Sequence, residues 1–106
     1  MDEPYGGIEL SPVPYEVGRI VVSEQGKDRG TLYVVVGYDG WRLALADAMR
    51  SNVSRPKRKN PKHVCATPLR AATLVGAIER GEDIDRGRFC QVLAEMRALA
   101  RDEAGA

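Results

Sequence analysis

From Val17 onward the chain alternates between short hydrophobic runs and turn-forming residues. Three runs rich in Val, Leu, Ile and Tyr are separated by turns that contain glycine: residues 19–23, 31–38 and 41–46. β-Branched and aromatic residues in runs of this length favour strands. Because the intervening turns are short, the pattern predicts three consecutive antiparallel strands.

Two turns connect these predicted strands. In the first, Gly26 and Gly30 flank Asp28, and glycine accommodates the positive φ that a tight turn requires. In the second, the pair Asp39-Gly40 is typical of a two-residue hairpin loop with positive φ at both central positions. We therefore predict a structural role for Gly26, Asp28 and Gly30 in the first turn.

After residue 66 the pattern changes to helical spacing. Thr67 is a candidate N-cap with Pro68 in the first helical position, and Gly81 closes this segment. Its apolar residues recur at helical spacing: Leu69, Ala72, Val75 and Ile78. Asp83 or Asp85 can cap a second helix. The apolar stripe of that helix comprises Phe89, Val92, Leu93, Met96 and Leu99. In so small a domain, we expect the stripe to pack on the strands rather than on a partner.

The chain divides into three predicted segments in a fold that is mainly β with some α. Residues 1–16 contain prolines, glycines and four acidic residues but no basic one, a composition that predicts a flexible N-terminal arm. Residues 17–66 contain the predicted strands. Residues 67–106 form a C-terminal extension of two helices.

Length and composition exclude several classes of protein. The 106 residues correspond to one small domain, and 43% hydrophobic and 29% charged residues are typical of globular proteins. A domain of this size leaves little room for a deep active site that excludes water. The longest apolar runs are far shorter than a membrane span. The residues after Met1 do not resemble a signal peptide, and two cysteines make no disulfide framework, so we expect a cytoplasmic location.

No motif in the sequence indicates catalytic residues, a metal site or a cofactor. The single histidine, His63, and the two cysteines, Cys65 and Cys90, lack the Cys-x-x-Cys spacing of structural zinc sites, so we expect buried and inert cysteines. The glycines at 26 and 30 are not followed by the Gly-Lys-Ser/Thr and helix of a phosphate-binding loop. We therefore predict a protein that is not an enzyme.

Positive charge is concentrated in one segment, although the formal net charge is only +1. Residues 50–63 contain six basic residues and no acidic one: Arg50, Arg55, Lys57, Arg58, Lys59 and Lys62. Pro56 and Pro61 prevent a regular helix there and favour a loop or an edge segment. Such a segment either is a solvated edge that blocks strand pairing or binds an anionic partner.

RNA is the anionic partner that these residue types favour. Basic side chains with Asn60 and His63 suit contacts to phosphate and sugar, so the predicted RNA-binding residues are Arg50, Arg55, Lys57, Arg58, Lys59, Asn60, Lys62 and His63. Tyr38 and Trp41 are the candidates for base stacking, with Tyr15 and Tyr33 as further rings. For Trp41 the sequence leaves core packing equally open.

The first two strands and their turn resemble a KOW motif. Residues 18–30, Gly-Arg-Ile-Val-Val-Ser-Glu-Gln-Gly-Lys-Asp-Arg-Gly, and the following Thr-Leu-Tyr-Val-Val-Val show its pattern of strand, Gly-x-Asp-x-Gly turn and strand. The continuation at residues 41–47 and 55–64 is similar to bacterial KOW-domain RNA-binding proteins related to eukaryote-type large-subunit ribosomal proteins. The resemblance covers residues 17–64 and extends only loosely into the helical part.

This resemblance implies a small SH3-like barrel that binds RNA, in particular ribosomal RNA, without a cofactor. By position, Asp28 and Gly30 match the acid and the glycine of the family's turn, and residues 56–63 match its basic, RNA-facing loop. KOW domains of transcription elongation factors also bind proteins. The alternative is therefore an interaction module that docks on the transcription or translation machinery, with ribosomal proteins among its partners. The sequence does not indicate an oligomeric state.

Overall fold

The computed structural model describes residues 15–105, with side chains through residue 98, so residues 1–14 of the predicted arm lie outside the described part. Its strands are β1 (Arg19–Ser23), β2 (Leu32–Asp39), β3 (Arg42–Ala46), β4 (Lys57–Lys59) and β5 (Val64–Arg70). Its helices are a short 3-10 helix (Pro61–His63), α1 (Ala72–Glu79) and α2 (Arg86–Gly105). The three strands predicted from the hydrophobic runs are confirmed.

All strand pairs are antiparallel, and the sheet order is β4-β3-β2-β1-β5. The first four strands follow one another as a meander, and β5 returns to pair with β1 on the far side. Because β4 and β5 are the two edges, the described strands form one open sheet with two C-terminal helices. The fold is thus mainly β with α, as predicted, while closure into a barrel is not confirmed.

Helices cover one face of the sheet. Side chains alternate between the faces of a strand, and Ile20, Val34 and Ala46 point to the same face, where they are buried. Leu74 and Ile78 of α1 pack there, together with Phe89 and Val92 of α2 and the partly buried Leu93 and Met96. The predicted packing of this stripe on the strands is confirmed for the residues through Met96.

The opposite face of the sheet is buried as well. Its cluster consists of strand residues: Val21, Tyr33, Val35, Leu43, Leu45 and Val64. Tyr15 and Ala66 pack against it. Since α1 and α2 pack in the other cluster, the described members of this second core come from the strands and from Tyr15.

The predicted start of the first helix is wrong. Thr67 and Pro68 lie within β5, where the Thr67 hydroxyl donates to the carbonyl of Ile20 at 2.7 Å, and the helix begins only at Ala72. An edge strand tolerates proline because one side of its backbone has no strand to pair with. Long-range pairing with β1 therefore overrides the local cap signal.

The second hairpin also differs from the prediction. Asp39 pairs with Arg42, so the two loop residues are Gly40 and Trp41 rather than Asp39 and Gly40. Gly40 has a φ of +63°, whereas among the described non-glycine residues only Ala48 has a positive φ. Glycine with positive φ at the first central position is the pattern of a type II′ turn. The longer β2 keeps Asp39 extended and shifts the loop by one residue.

Asp85 caps α2, as one of the two predicted alternatives. Its carboxylate accepts a hydrogen bond from the backbone N–H of Arg88 at 3.0 Å. Asp83 instead accepts from the backbone N–H and hydroxyl of Ser54, at 2.8 and 2.9 Å. The connection between the helices is thereby tied to the loop that follows β3.

Candidate nucleic-acid interface

The basic segment contains an edge strand. β4 pairs with β3 in the register Leu43↔Lys59 and Leu45↔Lys57. Because strand residues alternate in direction, Lys57 and Lys59 lie on one face and Arg58 on the other. The cations that are adjacent in sequence are therefore divided between two surfaces.

Asp28, in the turn between β1 and β2, contacts the face of β4 that carries Lys57 and Lys59. Its carboxylate accepts hydrogen bonds from the hydroxyl of Ser23 at 2.9 Å, the hydroxyl of Tyr33 at 2.6 Å and Nζ of Lys59 at 3.0 Å. Burial opposes ionisation of this carboxyl, but the three hydrogen bonds and the Lys59 charge outweigh it and hold its pKa well below the ordinary value. The turn is thus fixed to both β2 and β4.

The side chain of Lys59 is held in this turn by its hydrogen bonds. Besides Asp28, its ammonium donates to the carbonyl of Gln25 at 3.0 Å, and only 10% of its side chain is exposed. Lys57 is freer, because its ammonium lies 3.8 Å from Asp28 and 45% of its side chain is exposed. Of the two lysines, Lys57 is the one available to an incoming ligand.

The predicted turn glycines are confirmed as conformational requirements. Gly26 has a φ of +95° and Gly30 a φ of +91°, values that strain any residue with a Cβ. The positive φ values reverse the direction of the chain, so that the carbonyl of Ser23 accepts a hydrogen bond from the backbone N–H of Gly30 at 2.8 Å. The exposed side chain of Lys27 is carried on this turn.

A basic groove lies between this turn, β4 and the loop that follows β3. Its volume is about 630 Å³. Its cations are Lys27, Arg50, Lys57 and Lys59, and its carboxylates are Asp28 and Asp47. An adjoining hollow of about 380 Å³ shares Arg50 and Lys57 and adds Arg55. We use the name basic groove for both together.

Asp47 shapes the loop on one side of the basic groove. Its Oδ1 accepts hydrogen bonds from the backbone N–H groups of Met49 at 2.9 Å, Arg50 at 3.0 Å and Ser51 at 3.0 Å. Burial opposes ionisation, yet these hydrogen bonds lower the pKa of Asp47. Asp47 was not among the predicted site residues, although an Asp just after a strand is typical of such a turn.

The same loop is anchored to the helical part of the chain. The side-chain amide of Asn52 donates to the carbonyl of Ile84 at 3.0 Å and accepts from its backbone N–H at 2.7 Å. Ser54 binds Asp83 as described above. The loop that carries Arg50 and Arg55 is therefore held in place from both ends, by the sheet and by the connection between α1 and α2.

Arg58 contributes to a second surface at the tip of the β2–β3 hairpin. Its Nε lies 2.6 Å from the carboxylate of Asp39 in an ion pair, and Arg42 lies 3.6 Å from the same carboxylate. Trp41 is 69% exposed, and the guanidinium of Arg42 lies 5.8 Å from the centre of its ring. We call Asp39, Trp41, Arg42 and Arg58 the tryptophan patch.

The basic groove and the tryptophan patch are separate surfaces. Lys57 and Lys59 of the groove lie on one face of β4, and Arg58 of the patch lies on the other face. Of the predicted stacking rings, Trp41 is exposed, and Tyr38 is 49% exposed with its hydroxyl donating to the carbonyl of Tyr15 at 2.6 Å. Tyr33 is only 3% exposed, so its ring cannot stack on a ligand.

The remaining predicted residues, Asn60, Lys62 and His63, lie in the 3-10 helix or at its start. Asn60 caps it, because its Oδ1 accepts from the backbone N–H of Lys62 at 2.8 Å. Lys62 is exposed, and His63 is half-buried with its carbonyl accepting from the backbone N–H of Glu24 at 2.9 Å. None of these three residues lines the basic groove. Asn60 has a local structural role, because it caps the 3-10 helix.

The metal-ligating side chains of residues 15–98 do not form a cluster. No group of three or more His, Cys, Asp or Glu side chains there could hold a metal ion. The two cysteines, Cys65 and Cys90, are free and exposed, which corrects the expectation that they are buried, since each lies on the outer side of its element. Among the described helices, none is both long and apolar enough to cross a membrane.

No protein-family model matches this chain, and no curated protein sequence is similar to it.

Proposed function

We propose that this chain is a non-enzymatic RNA-binding protein that contacts phosphates through the basic groove. One observation carries the proposal: both carboxylates of the groove are already occupied by hydrogen bonds from the protein itself. Lys27, Arg50 and Arg55 are exposed around them and form no ion pair with a described residue. An anion entering the groove thus meets three cations with which no carboxylate of the described residues forms an ion pair.

The fold proposed with this function is an SH3-like barrel of the KOW type. Two features support it: β5 pairs with β1 after a four-stranded meander, and the strand cluster around Val35 and Leu45 is buried on the face that the helices do not cover. A strongly curved sheet buries such a face without a second layer. The KOW resemblance adds ribosomal RNA as the expected ligand, association with the ribosome and a cytoplasmic location.

The dependence of RNA affinity on salt tests the phosphate contacts. Binding of a fluorescently labelled RNA is measured at several salt concentrations for the wild type and for the triple variant Lys27→Ala, Arg50→Ala, Arg55→Ala. If each side chain contacts one phosphate, the variant binds more weakly and its log–log salt slope is flatter by about 2 units, because each contact contributes about 0.7. Different RNA sequences should be affected alike, since phosphate contacts do not distinguish bases.

A matched control removes the same charge elsewhere. The triple variant Arg86→Ala, Arg88→Ala, Arg97→Ala takes three exposed arginines from α2, and it should leave the slope within about half a unit of the wild type. Circular dichroism checks that both variants fold. Equal slopes for the two folded variants would remove the basic groove from RNA binding and favour the alternative, an interaction module for transcription or translation proteins.

A further inference from the structure

The tip of the β2–β3 hairpin presents one large aromatic ring to solvent. Trp41 is the single tryptophan of the chain, and it is the most exposed of the large hydrophobic residues in the described part, at 69%. It sits in a two-residue turn between the paired residues Asp39 and Arg42. So short a turn between paired strands fixes the backbone position from which the ring projects.

The charges around this ring favour an anionic ligand. Arg42 lies 3.6 Å and Arg58 2.6 Å from the carboxylate of Asp39, so two guanidinium groups share a single negative charge. All three side chains are about half exposed, and Arg42 also lies over the Trp41 ring. The tryptophan patch therefore combines an accessible π-face with a net charge of +1. A protein partner with an apolar surface would meet guanidinium and carboxylate groups around a single ring.

We propose that the tryptophan patch binds an unpaired nucleobase, which stacks on Trp41 while its phosphate lies near Arg42 and Arg58. This inference rests on the proposed RNA binding and specifies the substrate class, which is single-stranded RNA or an unpaired loop. In a duplex the faces of the bases are covered by their neighbours, so no base can stack on an external ring. Every base has a π-face, so stacking requires no particular sequence.

Three substitutions at one position test the stacking. A short single-stranded RNA of mixed sequence and its fully paired duplex are titrated into the wild type, Trp41→Ala, Trp41→Leu and Trp41→Phe. Trp41→Ala and Trp41→Leu should weaken single-strand binding by about 5- to 150-fold, the range for one base on one aromatic side chain. Trp41→Phe keeps a ring and should stay within a few-fold of the wild type. Duplex binding should not change, and the salt slope should be the same in all four proteins because Trp41 contacts no phosphate.

Because Trp41 is the only tryptophan, its fluorescence reports on the patch directly. Single-stranded RNA should quench it in the wild type and duplex RNA should not. The variants should fold normally, since the ring lies outside both buried clusters, and circular dichroism checks this.

The outcomes separate this inference from the proposed function. If the wild type binds single-stranded RNA with a steep salt slope but Trp41→Ala and Trp41→Leu bind equally tightly, the stacking is refuted and the basic groove stands. If the losses are the same for single strand and duplex, or if Trp41→Leu retains the affinity, the ring does not stack on a base and the inference fails. If the wild type binds neither RNA, both proposals fail.

Discussion

The Asp28 carboxylate is expected to be the most important polar group for the stability of the sheet edge. Asp28→Ala removes the acceptor shared by Ser23, Tyr33 and Lys59. Ser23 and Lys59 keep the carbonyl of Gln25 as an alternative acceptor, at 3.2 and 3.0 Å. The Tyr33 hydroxyl, on a residue only 3% exposed, loses the one protein acceptor that the described residues provide.

The expected loss follows from these contacts. An unsatisfied buried hydroxyl costs about 1–3 kcal/mol, and the hydrogen bond between Lys59 and a charged acceptor contributes about 1.5–3 kcal/mol. The two together give roughly 2.5–6 kcal/mol, a range that includes the loss of about 3–5 kcal/mol for breaking a buried ion pair. Because 16% of the Asp28 side chain is exposed and water can enter the groove, we expect the lower end, about 3 kcal/mol.

Urea-induced unfolding measures this loss, and Asp39→Ala is the matched control. Asp39 also lies near two basic side chains, Arg42 and Arg58, but all three are about half exposed. Its removal should therefore cost less than about 1 kcal/mol. The lowered pKa of Asp28 stabilises the fold above the unfolded value of about 3.9, and this contribution is lost as the pH falls through the folded value. The gap between wild type and Asp28→Ala should accordingly narrow in acid.

The stabilising role of the Asp28 carboxylate would be refuted if Asp28→Ala lost no more stability than Asp39→Ala. It would also be refuted if the gap between wild type and Asp28→Ala were independent of pH between neutral pH and about pH 2, because the depressed pKa would then have no energetic consequence.

Two further predictions concern Tyr33 and two glycines. Burial and the hydrogen bond to Asp28 raise the pKa of the Tyr33 hydroxyl. The stability that it contributes is complete below the unfolded value of about 10 and is lost as the pH rises towards the folded value. Urea unfolding at alkaline pH should show this decline, and the decline should be smaller in Tyr33→Phe, where only the raised pKa of Tyr38 still contributes. Gly30→Ala should cost about 1–2 kcal/mol through its positive φ alone, because a Cβ there meets nothing within 4 Å. Gly18→Ala should cost more, since its φ is +96° and a Cβ would lie 2.8 Å from a side chain of α1; equal losses would contradict this.

The sequence by itself determined the features that depend on local patterns. The hydrophobic runs at residues 19–23, 31–38 and 41–46 predicted β1 to β3, because each strand places apolar side chains in a core on either face of the sheet. The helical spacing of Phe89, Val92 and Met96 predicted the buried side of α2 for the same reason. Gly26 and Gly30 predicted the first turn, since glycine alone adopts positive φ without strain.

Only the tertiary structure decided how distant segments combine. Thr67 and Pro68 carry the local signal of a helix start, yet pairing with β1, far away in sequence, makes them part of β5. Likewise, the sequence alone does not distinguish among the basic residues of the segment 50–63. Folding brings Asp28 to Lys59, 31 residues apart, and places Arg58 on the opposite face. Ion pairs form in space between residues that no local pattern relates, so the sequence could show the amount of positive charge but not which cations remain free.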